Sequence, residues 1–493
     1  MNKVIQFIKS HKVLCLILLL ALFMRSSRAL ELFAYGHDQD LAGWFVRDIV
    51  ENHHLRLIGQ ETSVHGVYIG PLWYYSIVPF YVLLGMSPAS GLIVSILVGV
   101  ITVFSMWFVV SSIFSNRVGL YAALIYAVSF VLVMTDREVN PTITVVLWSI
   151  WFLYSLQLIL KKKTAEGLML TAFLFAVSWQ INLAFVILAP VSIVALLLSK
   201  SMPKVSAIRN AIIVGLVSLS PFLLFEVKNG FLQTKAILGS AVGGGTPVNF
   251  AEKLDRTTTL LSKNIRNIYT GDLVNMPDKT AMLSMFAIFA FLVAYRKLRL
   301  KWSILFVLWI LLYIVFFSHN PLNLSEYYLN GMAVLWVLLP ALLLEVLSKT
   351  MLGKAVAFLL LAIFVVANIT RFETIPVNRS GYIDRTHIVS EIKNDAQKHG
   401  YPCVAVSYIT TPGNELGYRY LFYFQGLHVN LPKTEAPVYT IVFPHSMVDK
   451  IDQSFGALGL IYPDYKKYTK EGIDKSCSTG NQNLTEPLFG FTK

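Results

Sequence analysis

Residues 35–48 read "YGHDQDLAGWFVRD" and place three carboxylates, Asp38, Asp40 and Asp48, and one guanidinium, Arg47, directly after the first apolar run of the chain. Only 14% of the residues are charged, so such a cluster stands out. A carboxylate at a membrane surface suits two chemistries. It can take a proton from a hydroxyl nucleophile as a general base, or join another carboxylate in holding a divalent cation. Asp38 and Asp40 are the candidate catalytic pair, and a divalent cation at Asp38/Asp40 is the one cofactor their spacing leaves open. A non-chemical alternative is that both acids solvate a loop and favour the start of a helix over residues 40–54, with Leu41, Trp44, Phe45, Ile49 and Val50 along one side.

Other polar residues fall on the same side of the membrane once the chain is threaded. His65 precedes "YIGPLWYY"; Asp136, Arg137, Glu138 and Asn140 stand between two apolar runs; Gln180 and Asn182 mark another turn; Glu226 and Lys228 follow a third; and "SHNPLNLSEYY" brings His319, Asn320, Glu326, Tyr327 and Tyr328. Arg137 is the first candidate for a phosphate, because a guanidinium grips phosphate oxygens in bidentate fashion. His65 and Lys228 are further candidates. Asn140, Gln180, Asn182, Glu326, Tyr327 and Tyr328 are candidate substrate-binding residues.

The elements that must position them are membrane spans. The 493 residues are 55% hydrophobic, with a mean hydropathy of +0.61. Continuous apolar runs predict α-helical spans near 13–30, 91–114, 118–136, 140–160, 165–181, 183–199, 208–225, 280–295, 302–318, 327–347 and 352–369, about eleven in all. Continuity rather than alternation argues against a β-barrel. Lys161 to Lys163, Lys200 with Lys204 and Arg209, Arg296 to Lys301, and Lys349 with Lys354 all fall on the cytoplasmic side if the N-terminus is cytoplasmic and residues 67–86 do not cross. The formal net charge of +13 is thus read as topogenic, not as a nucleic-acid footprint. Residues 67–86, interrupted by Gly70-Pro71 and Pro79, are expected to lie at the membrane surface, as an aromatic belt or as the wall of a lipid groove. Lysines before "VLCLILLLALF" resemble a signal peptide, but no small-x-small site follows, so the first span is expected to be retained.

The expected organisation is a membrane core over 1–370, with a first extracytoplasmic loop at 31–90 and a mobile one at 226–279, whose Gly243-Gly244-Gly245 suggests a lid. An extracytoplasmic domain follows at 371–493. In it "YPCVAVSYIT" and "PVYTIVFP" read as strands and "HIVSEIKNDAQKHG" as an amphipathic helix, which makes a small α/β domain. Of three cysteines, Cys403 and Cys477 are able to pair if this domain is exported, while Cys15 lies in the first span. Asn368 and Asn483 head sequons that are expected to be coincidental.

Four stretches resemble the GT-C membrane glycosyltransferases that use polyprenyl-phosphate sugars, on the bacterial branch of the protein O-mannosyltransferase and aminoarabinose lipid A transferase superfamily, family 39. They are "HDQDLAGWFVRDI", "HGVYIGPLWYY", "DREVNPTITV" and "SEYYLNGM", spread over residues 30–335. Where many relatives carry a lysine before Pro-Pro-Leu, this chain has Ile69 before Gly70-Pro71; where Gln-x-His is common it has Gln180-Ile-Asn182. The resemblance implies a multi-pass protein of the cell membrane that transfers a sugar from a polyprenyl-phosphate donor to a glycan, lipid or protein acceptor, by a single inverting displacement with Asp38 as base. A transporter or flippase for a lipid-linked sugar and a non-catalytic assembly factor are the alternatives; the few charges inside the spans count against the transporter.

Overall fold

The computed structural model describes residue 6 and residues 9–242, 249–274, 276–319 and 326–484. Each of the eleven apolar runs is helical, but they differ in length. Among the described residues six helices are long and apolar enough to cross a membrane: Gly91–Ile113, Pro141–Leu160, Thr164–Ile181, Leu300–His319, Tyr328–Leu347 and Met351–Thr374. Val205–Ser218 and Ser220–Lys228 make a seventh if taken as one span bent by 61°. The bend falls just before Pro221, whose ring lacks an N–H and crowds the preceding turn. The other four runs are shorter: Lys12–Ser26, Leu183–Ser199, Thr280–Ala294, and a helix broken at Ser129 into Asn116–Val128 and Phe130–Thr135. At the break, Ser129 Oγ donates to the Ile268 carbonyl at 2.7 Å, so the chain interruption is held by a neighbour.

Leu72–Leu83 has 12 residues and spans about 18 Å, too little to cross hydrocarbon. It lies at the end of the bundle where the Gly70 N–H donates to the Trp179 carbonyl (3.0 Å) and the Leu72 N–H to Gln180 Oε1 (3.2 Å). At the other end Ser115 donates to Glu345, Tyr121 bonds Ser348, and Lys161 reaches the Ser112 carbonyl.

The expected mobile segment 226–279 is largely helical. Leu232–Val242 is capped by Glu226, whose carboxylate accepts the Gln233 and Thr234 N–H groups at 3.0 and 2.9 Å. Phe250–Tyr269 buries Leu261, Ile265 and Ile268 in the main membrane core. Its charged face made a packed amphipathic helix read as a loop. Gly243 to Gly245 lie outside the described residues.

Residues 376–484 form the expected α/β unit. Helix Tyr382–Lys398 covers a five-stranded sheet built from β1 (Val404–Thr410), β2 (Val429–Asn430), β3 (Val438–Phe443), β4 (Gln453–Phe455) and β5 (Leu458–Ile461) in the order β2-β1-β3-β5-β4. β1 runs parallel to β2 and β3, and β5 antiparallel to β3 and β4. Cys403 and Cys477 form a disulfide. Asn368 and Asn483 are buried and hydrogen-bonded, consistent with coincidental sequons.

This domain shares a core with the first loop. Phe33, Tyr35, Leu41, Trp44 and Phe45 pack with Tyr74, Ile77 and Tyr81 and with Ile388, Tyr418, Tyr420 and Phe422 in one cluster. Backbone bonds stitch the same seam: Asn378 N–H to Glu31 O (3.1 Å) and Tyr382 N–H to Phe33 O (3.1 Å).

Candidate active site

The acidic stretch is a helix, His37–Glu51. Gly36 precedes it, and Gln39 Oε1 accepts the Gly36 N–H at 2.9 Å, which closes the first turn. Two residues apart on a helix means about 200° of rotation, so Asp38 and Asp40 point to different surroundings.

Asp40 turns into the seam and is 5% exposed. Its Oδ1 accepts the Tyr420 N–H at 2.8 Å, with Tyr35 Oη at 3.5 Å. Burial pushes its carboxyl up to about 7, opposed by that bond and by Arg419 and Arg385. The contact is close because residue 43 is glycine: a Cβ there would sit 2.5 Å from the Tyr420 ring. Tyr420 Oη in turn donates to the Met86 carbonyl at 2.9 Å, just past helix Leu72–Leu83.

Asp38 is half-buried, and burial raises its carboxyl above the usual range, with His37 opposing. Its field is felt by Tyr74 and by Glu138. Glu138 is also raised, first by burial, and Asn140 Nδ2 donates to its Oε2 at 3.0 Å. Glu138 thus lies in the field of two carboxylates, Asp38 and Asp136. Sequence reading noticed Glu138 beside Arg137 but did not select it, since the pairing depends on how two distant loops meet.

Tyr74 links this acid to a cation that the sequence did not flag. Its ring stacks on Phe45 (4.1 Å between centroids), and the Arg56 guanidinium lies over the Phe45 ring at 4.6 Å. Arg56 is buried; Nη1 donates to Asp48 Oδ2 at 2.9 Å, while Nε and Nη2 have no partner. Asp48 is saturated by Arg56, His54 and Asn52. Three unspent N–H bonds, on Nε and Nη2 of a buried guanidinium, are a costly arrangement unless an anion uses them.

Beside Tyr74, Trp73 faces an apolar groove of about 620 Å³. Leu72, Ser76, Val94, Pro141, Trp148 and Gln180 are among its walls. Leu72, Pro141 and Gln180 sit at the site end; Trp151 and Leu170 are each ten residues down their helices, roughly 15 Å deeper. The groove thus starts next to Asn140 and Glu138 and runs into the apolar layer.

The remaining candidates are scattered. Arg137 is buried against Phe372, with Nη2 donating to the Ser27 carbonyl; burial, Arg28 and Arg25 lower it to about 10. Asn140 and Asn182 cap the turns after them, through Thr142 N–H (3.1 Å) and Ala184 N–H (3.0 Å). Gln180 holds Leu72 in place. The His65 side chain is 98% exposed, paired with Glu61. Lys228 is exposed at a helix end. Tyr328 Oη meets Ser63 Oγ at 3.3 Å. Glu326 and Tyr327 begin a 3₁₀ turn, and their side chains, like Asn320, lie outside the described residues.

An unexpected ion pair anchors the floor. Arg25, fully buried in the first helix, meets Asp136 Oδ2 at 2.6 Å and reaches the Ala127 carbonyl at 3.1 Å; Tyr126 donates to Asp136 Oδ1 at 2.9 Å. Gly99 gives it room, since a Cβ there would stand 2.5 Å from Arg25 Nε. Among the described residues no three His, Cys, Asp or Glu side chains gather as a metal centre. With Asp40 Oδ1 engaged by Tyr420, the residues do not fit a cation clamped by Asp38 and Asp40.

Solved structures share this architecture. ArnT from Cupriavidus metallidurans, bound to undecaprenyl phosphate, superposes with a TM-score of 0.57 at 13% identity, over 95% of this chain and 99% of that one. The archaeal oligosaccharyltransferase AglB from Archaeoglobus fulgidus, in complex with an inhibitory peptide and a dolichol-phosphate, gives 0.50 at 10% identity, over 93% and 75%. The chain has the GT-C fold of membrane glycosyltransferases. Within that class, residues 69–225 match the family model described as dolichyl-phosphate-mannose-protein mannosyltransferase. That segment contains the groove walls, Glu138 and Gln180, but not Asp38. No curated protein sequence matches the chain.

Proposed function

We propose that this protein is a membrane glycosyltransferase that moves a sugar from a polyprenyl-phosphate donor to a cell-envelope acceptor on the outer face of the membrane, with inversion. The observation that carries the reading is the groove: an apolar trench of about 620 Å³ walled by Leu72, Trp73 and Ser76 of helix Leu72–Leu83 and by Pro141, which directly follows Asn140. A prenyl tail fits the trench, and its phosphate then sits among polar groups at the mouth.

Asp38 takes the acceptor hydroxyl proton as the oxygen attacks the anomeric carbon; the carbon–phosphate-oxygen bond breaks on the opposite face and polyprenyl phosphate leaves. Inversion needs a single base behind the carbon. Glu138 keeps Asp38 company as a second acid, and a divalent ion at this mouth would draw on that pair. Arg56, whose Nε and Nη2 have no partner, is assigned the leaving phosphate in place of Arg137, whose Nη2 is turned to the Ser27 carbonyl. The short turns rich in lysine then face the cytoplasm, and the α/β domain faces outward.

The test is transfer of label from radiolabelled polyprenyl-phosphate sugars in membranes. Asp38→Asn at equal expression should lose about 10²- to 10⁴-fold in rate. Because Asp38 must be deprotonated to act and burial raises its pKa, wild-type activity should fall with acidification at a pH above the ordinary carboxylate range. Equal transfer by the variant would remove Asp38 from the reaction. Absence of transfer from every donor, with lipid-linked sugar still bound, would favour a flippase.

A further inference from the structure

The exposed face of helix Tyr382–Lys398 carries a feature that the transfer site does not use. Glu391, Asn394, Asp395 and Lys398 recur at helical spacing and form one wall of a cleft of about 410 Å³; His399, Tyr462 and Tyr465 complete it. Acids four apart on a helix repel each other. Here they are fixed instead by tyrosines: Asp395 Oδ2 accepts from Tyr439 Oη (2.7 Å) and Tyr465 Oη (2.9 Å), and Glu391 Oε1 from Tyr462 Oη (2.8 Å).

Aromatic faces lie alongside. The His399 ring stacks on Tyr465 with centroids 4.2 Å apart and planes at 15°, and Tyr401 extends the stack at 5.6 Å. His399 Nδ1 is 2.9 Å from the Asp395 carbonyl, which can only accept, so Nδ1 carries a proton and the neutral ring presents Nε2 as an acceptor. The lining therefore offers acceptors (Glu391, Asp395, His399), donors (the Asn394 amide, the Lys398 ammonium) and flat apolar faces.

That inventory selects by chemistry. Two carboxylates disfavour a phosphate. Charged and amide groups disfavour an apolar ligand. Hydroxyls that donate and accept, mounted on a ring with apolar C–H faces, match all of it. We infer that this cleft is a saccharide-binding subsite, in which a sugar ring lies on the His399–Tyr465 stack and its hydroxyls bond Glu391, Asn394 and Asp395. The helix has 17 residues, about 25 Å, and its far end joins the first loop at Phe33, five residues before Asp38. A chain of several sugars held in the cleft would extend toward the transfer site. That this saccharide is the acceptor rests on the function proposed above; that the cleft binds saccharide does not.

The experiment is saturation-transfer NMR on the full-length protein in nanodiscs, without donor, using mannohexaose and chitohexaose at millimolar concentration. The Asn394 side chain is exposed and makes no hydrogen bond to the described residues, so Asn394→Ala leaves the fold intact; it should weaken binding roughly 3- to 10-fold. Tyr465→Ala should remove the signal from the C–H face of the ring. Asp38→Asn should bind as wild type does, which separates this proposal from the failure of transfer. No saturation from either hexasaccharide would overturn it. So would signals unchanged in both variants, or a cleft that takes hexalysine and excludes both sugars, which would mark it as a site for basic peptide.

Discussion

Asp40 offers the sharpest test of how the α/β domain is held. Its carboxyl rises from an ordinary 3.8 to about 7 when buried against Tyr420. In the separated state it is exposed and ordinary. Between these two values the docked form binds more protons than the separated one, so docking weakens as pH rises from about 4 to 7 and is level above that. The difference amounts to roughly 4 kcal/mol in full, at 1.36 kcal/mol for each pH unit of displacement. Asp40→Asn removes that cost while keeping an oxygen for the Tyr420 N–H. Its new NH₂ needs a partner, which costs about 1–3 kcal/mol. The net expectation at pH 8 is a seam tighter than wild type by roughly 1–3 kcal/mol, an advantage that reverses near pH 4, where only the cost of the unpaired NH₂ remains. Hydrogen exchange of residues 419–424 in nanodiscs, corrected for intrinsic rates, reads it: protection should rise about 5- to 150-fold at pH 8. Asp40→Ala, which strands the Tyr420 N–H, should lose protection at every pH. A wild-type seam that tightens with rising pH, or an Asn variant that is looser at pH 8, would refute the reasoning.

Other expectations follow from close contacts. Gly43→Leu would drive a side chain into the Tyr420 ring and should cost at least 1–3 kcal/mol, seen as faster proteolytic release of residues beyond 375. Asp136→Ala strands Arg25 in the membrane and should destabilise by about 3–5 kcal/mol in thermal unfolding; Arg25→Met with Asp136→Leu should recover most of that. Replacing Cys403 and Cys477 by serine opens a loop of 74 residues and should cost the α/β domain about 4 kcal/mol, read by its melting with and without reductant.

Much of this arrangement was legible in one dimension. Apolar runs marked every membrane helix, because a span must satisfy its backbone internally. Gly70, Pro71 and Pro79 marked the short surface helix, and alternation marked β1 and β3. What was not legible depends on partners far away in the chain. Asp40 looks like the twin of Asp38 until Tyr420 arrives to take it. Glu138 and Arg56 acquire meaning only in the fold, where Glu138 lies in the field of Asp38 and Arg56 lies over the Phe45 ring. Phe250–Tyr269 reads as a polar loop because only one narrow stripe of it is buried. Run length also overstated the first span, whose helix stops at Ser26 where Arg25 must turn inward to Asp136.

The seam between Asp40 and Tyr420 joins residues 380 apart in sequence. A ribosome adding about 5–20 residues per second needs roughly 20–80 s to get from one to the other. During that interval the helix that bears Asp38 waits with Gly43 and the face of Trp44 that meets Tyr420 and Tyr423 still uncovered. A nascent chain halted before Tyr420 would have its apolar groove but an unsupported helix His37–Glu51. Synthesis order thus withholds a finished site from incomplete chains, and leaves the first loop as the stretch a quality-control protease would meet longest.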